Sequence, residues 1–286
     1  MRYNGGILTN DAEVSPMSLW LILLIILAVL AFMTHPSLRY GKCKRWRNAR
    51  FAHRGLHDIE NGVVENTLPA FIAARDAGYG MELDIRFSKD MQVVVFHDDD
   101  LLRLAGDARR VRRLTLEELK GIALAGVDNA RIPTLREVLD TVDGKTPLLI
   151  ELKSGFGNAR LCRALMDHLE GYNGAFIVES FNPLIVAWFR FHAPQVVRGQ
   201  LVGPLKSYRP TVNGITAFFM AGLLANCVSR PDFVAYDANA KRFFSPHFQR
   251  FMFRTPMAAW TVRDPALAAL TRDRGEMLIF EGNGRP

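Results

Sequence analysis

Residues 147–180 read PLLIELKSGFGNARLCRALMDHLEGYNGAFIVES, two short apolar runs, PLLIEL (147–152) and AFIVES (175–180), with a helix-like stretch between them. An apolar run too short for a helix, a helical pattern and then a second short run together read as a β–α–β unit. The same rhythm holds from Phe51 onward. FAHRG (51–55), YGMELDI (79–85), VRGQLV (197–202), DFVAYD (232–237), MAAWTV (257–262) and EMLIFE (276–281) bring the strands to eight. A further run, QVVVF (92–96), follows Asp90 closely and predicts a hairpin appended to the second strand. Helix starts fall between the strands: Thr115-x-x-Glu118 and Thr134-x-x-Glu137 are capping boxes, and Asn182-Pro183 and Asp264-Pro265 are N-caps followed by proline. Eight strands alternating with helices predict an α/β fold, a (β/α)8 TIM barrel over residues 51–286. A doubly wound open sheet usually has fewer strands at this length, and no Gly-rich nucleotide loop occurs.

The barrel is preceded by a segment of different character. Met17–Met33 reads MSLWLILLIILAVLAFM, with Ser18 its only polar residue. At ~1.5 Å per residue this run spans about 25 Å, and Pro16, Thr34 and His35 extend it toward the thickness of a bilayer core. Its N-terminal flank is not basic and no small-residue cleavage site follows it, which favours a retained single transmembrane helix over a cleaved signal peptide. The expected organisation is an N-terminal tail (1–16), an anchor (17–35), a basic juxtamembrane linker (36–50) and the barrel (51–286). Arg39, Lys42, Lys44, Arg45, Arg47 and Arg50 lie just beyond the anchor, against Arg2 alone on the other side. The positive-inside rule therefore places the barrel on the cytoplasmic side of the cell membrane. A second apolar stretch, Val212–Val228, reads as a barrel helix buried more deeply than most, with contact to the lipid interface as the other reading.

Composition narrows the function. The net charge of +7 looks suited to nucleic acid until it is located: residues 1–50 carry +5 of it. A nucleic-acid binder needs its basic face on the folded domain, so that partner is not expected. The three cysteines, Cys43, Cys162 and Cys227, are far apart, which excludes a disulfide scaffold and a thiolate metal site.

Polar residues that would be costly in a barrel core gather at the ends of the early strands. His53 and Arg54 close the first, Glu82 and Asp84 lie near the end of the second, His97 and Asp98 end the appended strand, and Glu151 and Lys153 end the next. Positions i and i+2 of a strand share a face, so Glu82 and Asp84 point the same way. Three acids facing one space repel unless a cation sits among them, and oxygen donors select a hard divalent ion, Mg²⁺ or Ca²⁺. Arg and Lys beside such an ion suit a phosphate, and two histidines suit a general base and a general acid.

With these residues in view, the chain resembles the glycerophosphodiester phosphodiesterases. The resemblance is carried by His53-Arg54-Gly55, Glu65-Asn66-Thr67, Glu82-Leu83-Asp84, His97-Asp98, Ile132-Pro133-Thr134-Leu135, Glu151-Leu152-Lys153, Ser180-Phe181 and Trp260-Thr261-Val262, in the family's order. It implies a metal-dependent hydrolase on a (β/α)8 barrel, cleaving a glycerophosphodiester to sn-glycerol 3-phosphate and an alcohol. Carried over by motif, Glu82, Asp84 and Glu151 would be metal ligands, and His53 and His97 the acid/base pair. Arg54 and Lys153 would contact phosphate, Glu65 would support the metal-side network, and Trp260 would flank the glycerol. The family mechanism implies attack by a substrate hydroxyl, giving a cyclic phosphate that water opens. Two departures, Leu104 in place of a frequent threonine and Glu281 in place of a frequent aspartate, are expected to lie outside the site and to bear only on headgroup preference. A lysophospholipase D using the same residues on a lysophospholipid is the nearest alternative. A catalytically inactive, membrane-tethered binding barrel is the alternative from another class.

Overall fold

The computed structural model describes residues 16–208, 212–240, 243–282 and 285, so the expected tail lies outside them except for Pro16. An apolar helix, α1 (Pro16–Thr34), comes first. The strands that follow are β1 (Arg50–Ala52), β2 (Gly80–Phe87), β3 (Val93–Val95), β4 (Asp100–Leu101), β5 (Asp107–Arg110), β6 (Leu148–Leu152), β7 (Phe176–Ser180), β8 (Arg198–Val202), β9 (Phe233–Asp237), β10 (Met257–Val262) and β11 (Met277–Phe280). Between them run α2 (Leu68–Asp76), α3 (Leu102–Ala105), α4 (Leu116–Lys120), α5 (Leu135–Val142), α6 (Asn158–Leu169), α7 (Pro183–His192), α8 (Leu205–Tyr208), α9 (Gly214–Ala221), α10 (Asn226–Ser229), α11 (Phe244–Phe253) and α12 (Pro265–Asp273).

All eight expected barrel strands form, and they close: β1 pairs in parallel with β11 on one side and with β2 on the other. That closure separates the TIM barrel from an open sheet. The expected hairpin is present, with β3 antiparallel to Ile85–Phe87 of β2, while the β4–β5 ribbon was not anticipated. Both capping boxes form, and Asn182 and Asp264 cap α7 and α12 with proline in the first turn.

Alternation along the strands builds two layers. Met81, Leu83 and Ile85 face outward with Leu148, Ile150 and Leu152, packed under the helices by Phe71, Leu135 and Leu139. Inside, the lower barrel is filled by Phe51, Leu149, Ile177, Phe233, Ala258 and Ile279. Above that apolar floor the interior positions of β2, β6 and β7 are carboxylates.

Residues 36–50, expected as a linker, are packed against the base of the barrel. A 3-10 helix at Tyr40–Trp46 inserts Cys43 and Trp46 into the apolar floor, and Arg39 pairs with the buried Asp232 at 2.9 Å. α1 itself is apolar on every side and almost uncovered, and it is the one helix among the described residues long and apolar enough to cross a membrane or to act as a signal sequence. Its C-terminal carbonyls, which no helical N–H can reach, receive side-chain donors from the barrel: Asn226 and Gln249 to Thr34 O at 3.0 and 2.8 Å, and Arg230 to Phe32 O at 3.0 Å.

The stretch 212–228 does not form the deeply buried helix that its composition suggests. α9 ends after eight residues, and Leu223 beyond Gly222 takes φ +57°, breaking the helix before α10. α9 buries only Ala217 and Ala221, leaving Ile215 (75% exposed) and Phe218 (59%) on the surface.

Gly55 shapes the turn that leads from β1 into the mouth of the barrel. Its φ is +80°, and a Cβ there would lie 2.8 Å from Ala70 Cβ and 2.9 Å from the Ala70 carbonyl carbon on α2. Gly55→Ala is therefore expected to lower stability by about 1–3 kcal/mol, read as a shift in the urea midpoint. A midpoint equal to wild type would show that α2 is not held against this turn.

Candidate active site

Parallel pairing sets the site's register. Asp84 of β2 lies opposite Glu151 of β6, and Glu151 lies opposite Glu179 of β7. Glu82 is two residues before Asp84 and shares its inward face. One carboxylate oxygen each from Glu82, Asp84 and Glu151 lies within 4.8 Å of the others, and all three residues are buried. Burial, then the charges of Asp84 and Glu151, push the Glu82 carboxyl well above the usual range. Burial, with Asp84 adding to it, also raises Glu151. Asp84 moves the other way: burial opposes its charge, but Lys153, His97 and Arg54 together hold it well below the usual range. Lys153 Nζ bridges Asp84 Oδ1 at 2.8 Å and Glu151 Oε1 at 2.7 Å, and Asn66 Nδ2 donates to Asp84 Oδ2 at 2.8 Å. The set is oxygen-rich, converging and under-neutralised, which fits a hard divalent cation.

Both expected histidines stand beside this trio, and each has a carboxylate behind it. His53 Nδ1 lies 2.6 Å from Glu281 Oε1, leaving Nε2 4.0 Å from Glu82 Oε2. His97 Nδ1 lies 2.6 Å from Asp98 Oδ1, so Asp98 orients the histidine beside it. Burial lowers the His53 pKa, and the Glu281 hydrogen bond opposes that only in part. Glu281 is held far below the carboxylate range although burial opposes its charge, because His53 hydrogen-bonds to it and the His57 and Arg263 side chains lie close by.

The placement of Glu281 corrects the expectation that it lies outside the site. Its backbone follows β11, the neighbour of β1 in the closed barrel, so its carboxylate meets the histidine that follows β1. Arg263 Nε holds its other oxygen at 2.6 Å. Leu104, the other departure, is buried in a separate apolar cluster under β3 and β4.

Arg54 donates its backbone N–H to Glu82 Oε2 at 2.8 Å and its guanidinium to Glu65 Oε1 at 2.6 Å. Glu65 is shared with Arg103, which also holds Asp98 at 2.7 Å. Arg54, Glu65, Glu82, Arg103 and Trp260 border an open cavity of ≈ 630 Å³ with one charged wall and one apolar wall, the latter formed by Phe181, Leu201 and Trp260. Trp260 meets Phe181 edge-on with ring centroids 5.7 Å apart. Lys153 is drawn behind the trio by its two carboxylates rather than bordering this cavity.

Glu179, Arg103, His57 and Arg263 also line the cavity and were not singled out from sequence. Glu179 had a visible signal, since AFIVES carries an acid at the strand position that PLLIEL also uses. Burial, then the Glu151 charge, raises the Glu179 carboxyl well above its usual range, and Oε2 has no hydrogen-bond partner among the described residues.

A family model, described as the glycerophosphoryl diester phosphodiesterase family, matches residues 53–280. A glycerophosphodiester phosphodiesterase of Caldanaerobacter subterraneus subsp. tengcongensis is 35% identical over 163 residues, which are 52% of this chain and 65% of that enzyme. The match thus spans under two thirds of that relative's length. Among solved structures, the glycerophosphodiester phosphodiesterase of Thermotoga maritima is 28% identical with a TM-score of 0.61, over 81% of this chain and 93% of the other. An Oleispira antarctica phosphodiesterase, solved with its product sn-glycerol 3-phosphate, has the same fold at 22% identity, with a TM-score of 0.66 over 84% and 95% of the two chains.

Since the Glu281 charge favours the imidazolium, Glu281→Gln is expected to lower the His53 pKa further, measured by NMR titration of its ring protons. An unchanged or raised pKa would show that the contact does not control this histidine.

Proposed function

The chain belongs to the glycerophosphoryl diester phosphodiesterase family, and from that premise we propose that it hydrolyses glycerophosphodiesters to sn-glycerol 3-phosphate and an alcohol. The observation that carries this reading is a buried carboxylate trio flanked by two histidines, each with a carboxylate behind it. A membrane-tethered barrel that only bound ligand would have no use for that arrangement.

Glu82, Asp84 and Glu151 would hold one divalent cation, Mg²⁺ or Ca²⁺. When bound, such an ion polarises a phosphoryl oxygen and lowers the pKa of a nearby hydroxyl. The remaining chemistry falls to side chains. His53, kept neutral by burial, accepts the proton of the attacking glycerol hydroxyl, and Glu281 stabilises the resulting imidazolium. The hydroxyl oxygen bonds to phosphorus as the bond to the leaving alkoxide breaks, and His97 protonates that alkoxide. Water then opens the cyclic phosphate with the two roles exchanged. Arg54 offers its guanidinium to the phosphate, with Glu65 and Arg103 fixing its position. Lys153 supplies its charge from behind the trio, and the carbon face of glycerol rests on Trp260 and Phe181.

Release of glycerol 3-phosphate from a panel of glycerophosphodiesters, with and without a chelator, tests the reading. Chelation is expected to abolish release, and His53→Asn, His97→Asn and Glu82→Gln to lower kcat by about 10²–10⁴. Wild type no faster than these variants would overturn it. Turnover of lysophosphatidylcholine with none of glycerophosphocholine would replace it by a lysophospholipase D.

We further assign residues 17–35 to a membrane anchor and the barrel to the cytoplasmic side, supported by the uncovered apolar surface of α1 and the basic residues beyond it. Protease added to inverted vesicles is expected to digest residues 51–286, and their survival would reverse the orientation.

A further inference from the structure

The base of the barrel carries a second charged cavity, at the opposite end from the site. It measures ≈ 540 Å³ and lies where α1 meets the barrel, bordered by Arg39, Arg190, Arg198 and Arg230 together with Phe32 and Leu38. These arginines come from the stretch after α1, from α7, from the start of β8 and from the turn after α10, so no sequence motif unites them.

Their charges are poorly matched. Asp232 is the one carboxylate they pair with among the described residues, and it is taken by Arg39 at 2.9 Å and Arg198 at 3.5 Å. Among the described residues the Arg190 guanidinium donates to the Cys227 and Val228 carbonyls, at 3.1 and 2.7 Å. Among the described residues the Arg230 guanidinium donates to those of Phe32 and His35, at 3.0 and 2.8 Å. The cations also strain one another. Arg198 is pushed down to about 10 by burial, with Arg39 and Arg190 adding to it against the pull of Asp232. Burial and then Arg190 lower Arg230. In the mouth, by contrast, Arg54, Arg103 and Lys153 each have carboxylate partners.

Place and shape narrow the kind of anion such a groove would take. Arg230 grips the last turn of α1 and stacks over Phe32 at 4.8 Å, so the cavity sits at the level where an inserted α1 leaves the bilayer. Its lip is apolar and exposed, with Phe32 at 62% and Leu38 at 75%, and Phe191 stands beside Arg190. Guanidiniums below and apolar side chains above match a phosphate carrying acyl chains.

We propose that this groove binds a phosphate anion and that the phosphate belongs to an acidic phospholipid. The site holds the base of the barrel to the headgroup layer and takes no part in hydrolysis. The inference rests on α1 being a membrane anchor, and its test separates the two.

Full-length protein in detergent micelles is mixed with phosphatidylglycerol, phosphatidylcholine or inorganic phosphate, and retained lipid is counted by native mass spectrometry. Wild type is expected to keep one phosphatidylglycerol about tenfold better than phosphatidylcholine, and millimolar inorganic phosphate is expected not to displace it. The double variant Arg190→Gln, Arg230→Gln keeps donors for the backbone carbonyls and is expected to lose that preference. Arg190→Lys with Arg230→Lys is expected to restore part of it. Unchanged glycerol 3-phosphate release by the glutamine variant would show that it is folded. Equal retention of the two lipids by wild type, or an unaltered preference in the glutamine variant, overturns the proposal. Displacement by inorganic phosphate overturns the lipid as the source of the anion. Alkaline carbonate extraction of membranes reads the anchor separately: release of wild type overturns the anchor and this inference together, whereas retention without lipid preference overturns this inference alone.

Discussion

Three carboxylates whose oxygens lie within 4.8 Å of one another, buried above an apolar floor, cannot all carry charge unless positive charge is brought to them. The residues around them answer that constraint. Lys153 is wedged between Asp84 and Glu151, the Arg54 backbone N–H reaches Glu82, and Asn66 donates to Asp84. Even so, the Glu82 and Glu151 carboxyls remain raised. That excess of acid over nearby base is what makes the trio able to hold a divalent cation.

Strand alternation makes such a site tolerable in a folded protein. Met81, Leu83 and Ile85 hold β2 under its helices, so the intervening Glu82 and Asp84 are fixed by the packing of their neighbours. Phe51, Leu149 and Phe233, with Cys43 and Trp46 inserted from below, fill the barrel under the acids with apolar side chains. The two ends of the barrel thereby acquire different characters. The mouth has matched ion pairs around an acidic centre, while the base has arginines in excess of carboxylates. The base is also where the apolar helix α1 is hydrogen-bonded to the domain.

The legible part of the fold was the part governed by local rules. Short apolar runs such as PLLIEL placed strands, and Thr134-x-x-Glu137 and Asn182-Pro183 placed helix starts, because these signals act over a few residues of chain. Val212–Val228 misled because apolar composition does not say which face is covered. The reversal at Leu223 cuts the segment short, and small Ala217 and Ala221 take the inward positions while Ile215 and Phe218 stay outside. Glu281 was misjudged because its partner, His53, lies 228 positions away in sequence. Closure of β11 onto β1 creates that contact.

The amino-acid sequence alone determined the order of strands and helices, the apolar segment at residues 17–33, the i, i+2 acids Glu82 and Asp84, and a histidine at each of two strand ends, since each of these is read from neighbours a few residues apart. Tertiary structure alone decided which carboxylate backs His53, that Lys153 lies behind the trio rather than at the cavity wall, and that Arg39, Arg190, Arg198 and Arg230 share one groove. Those facts depend on strands and helices distant in sequence being brought together by barrel closure, and no local pattern encodes that distance.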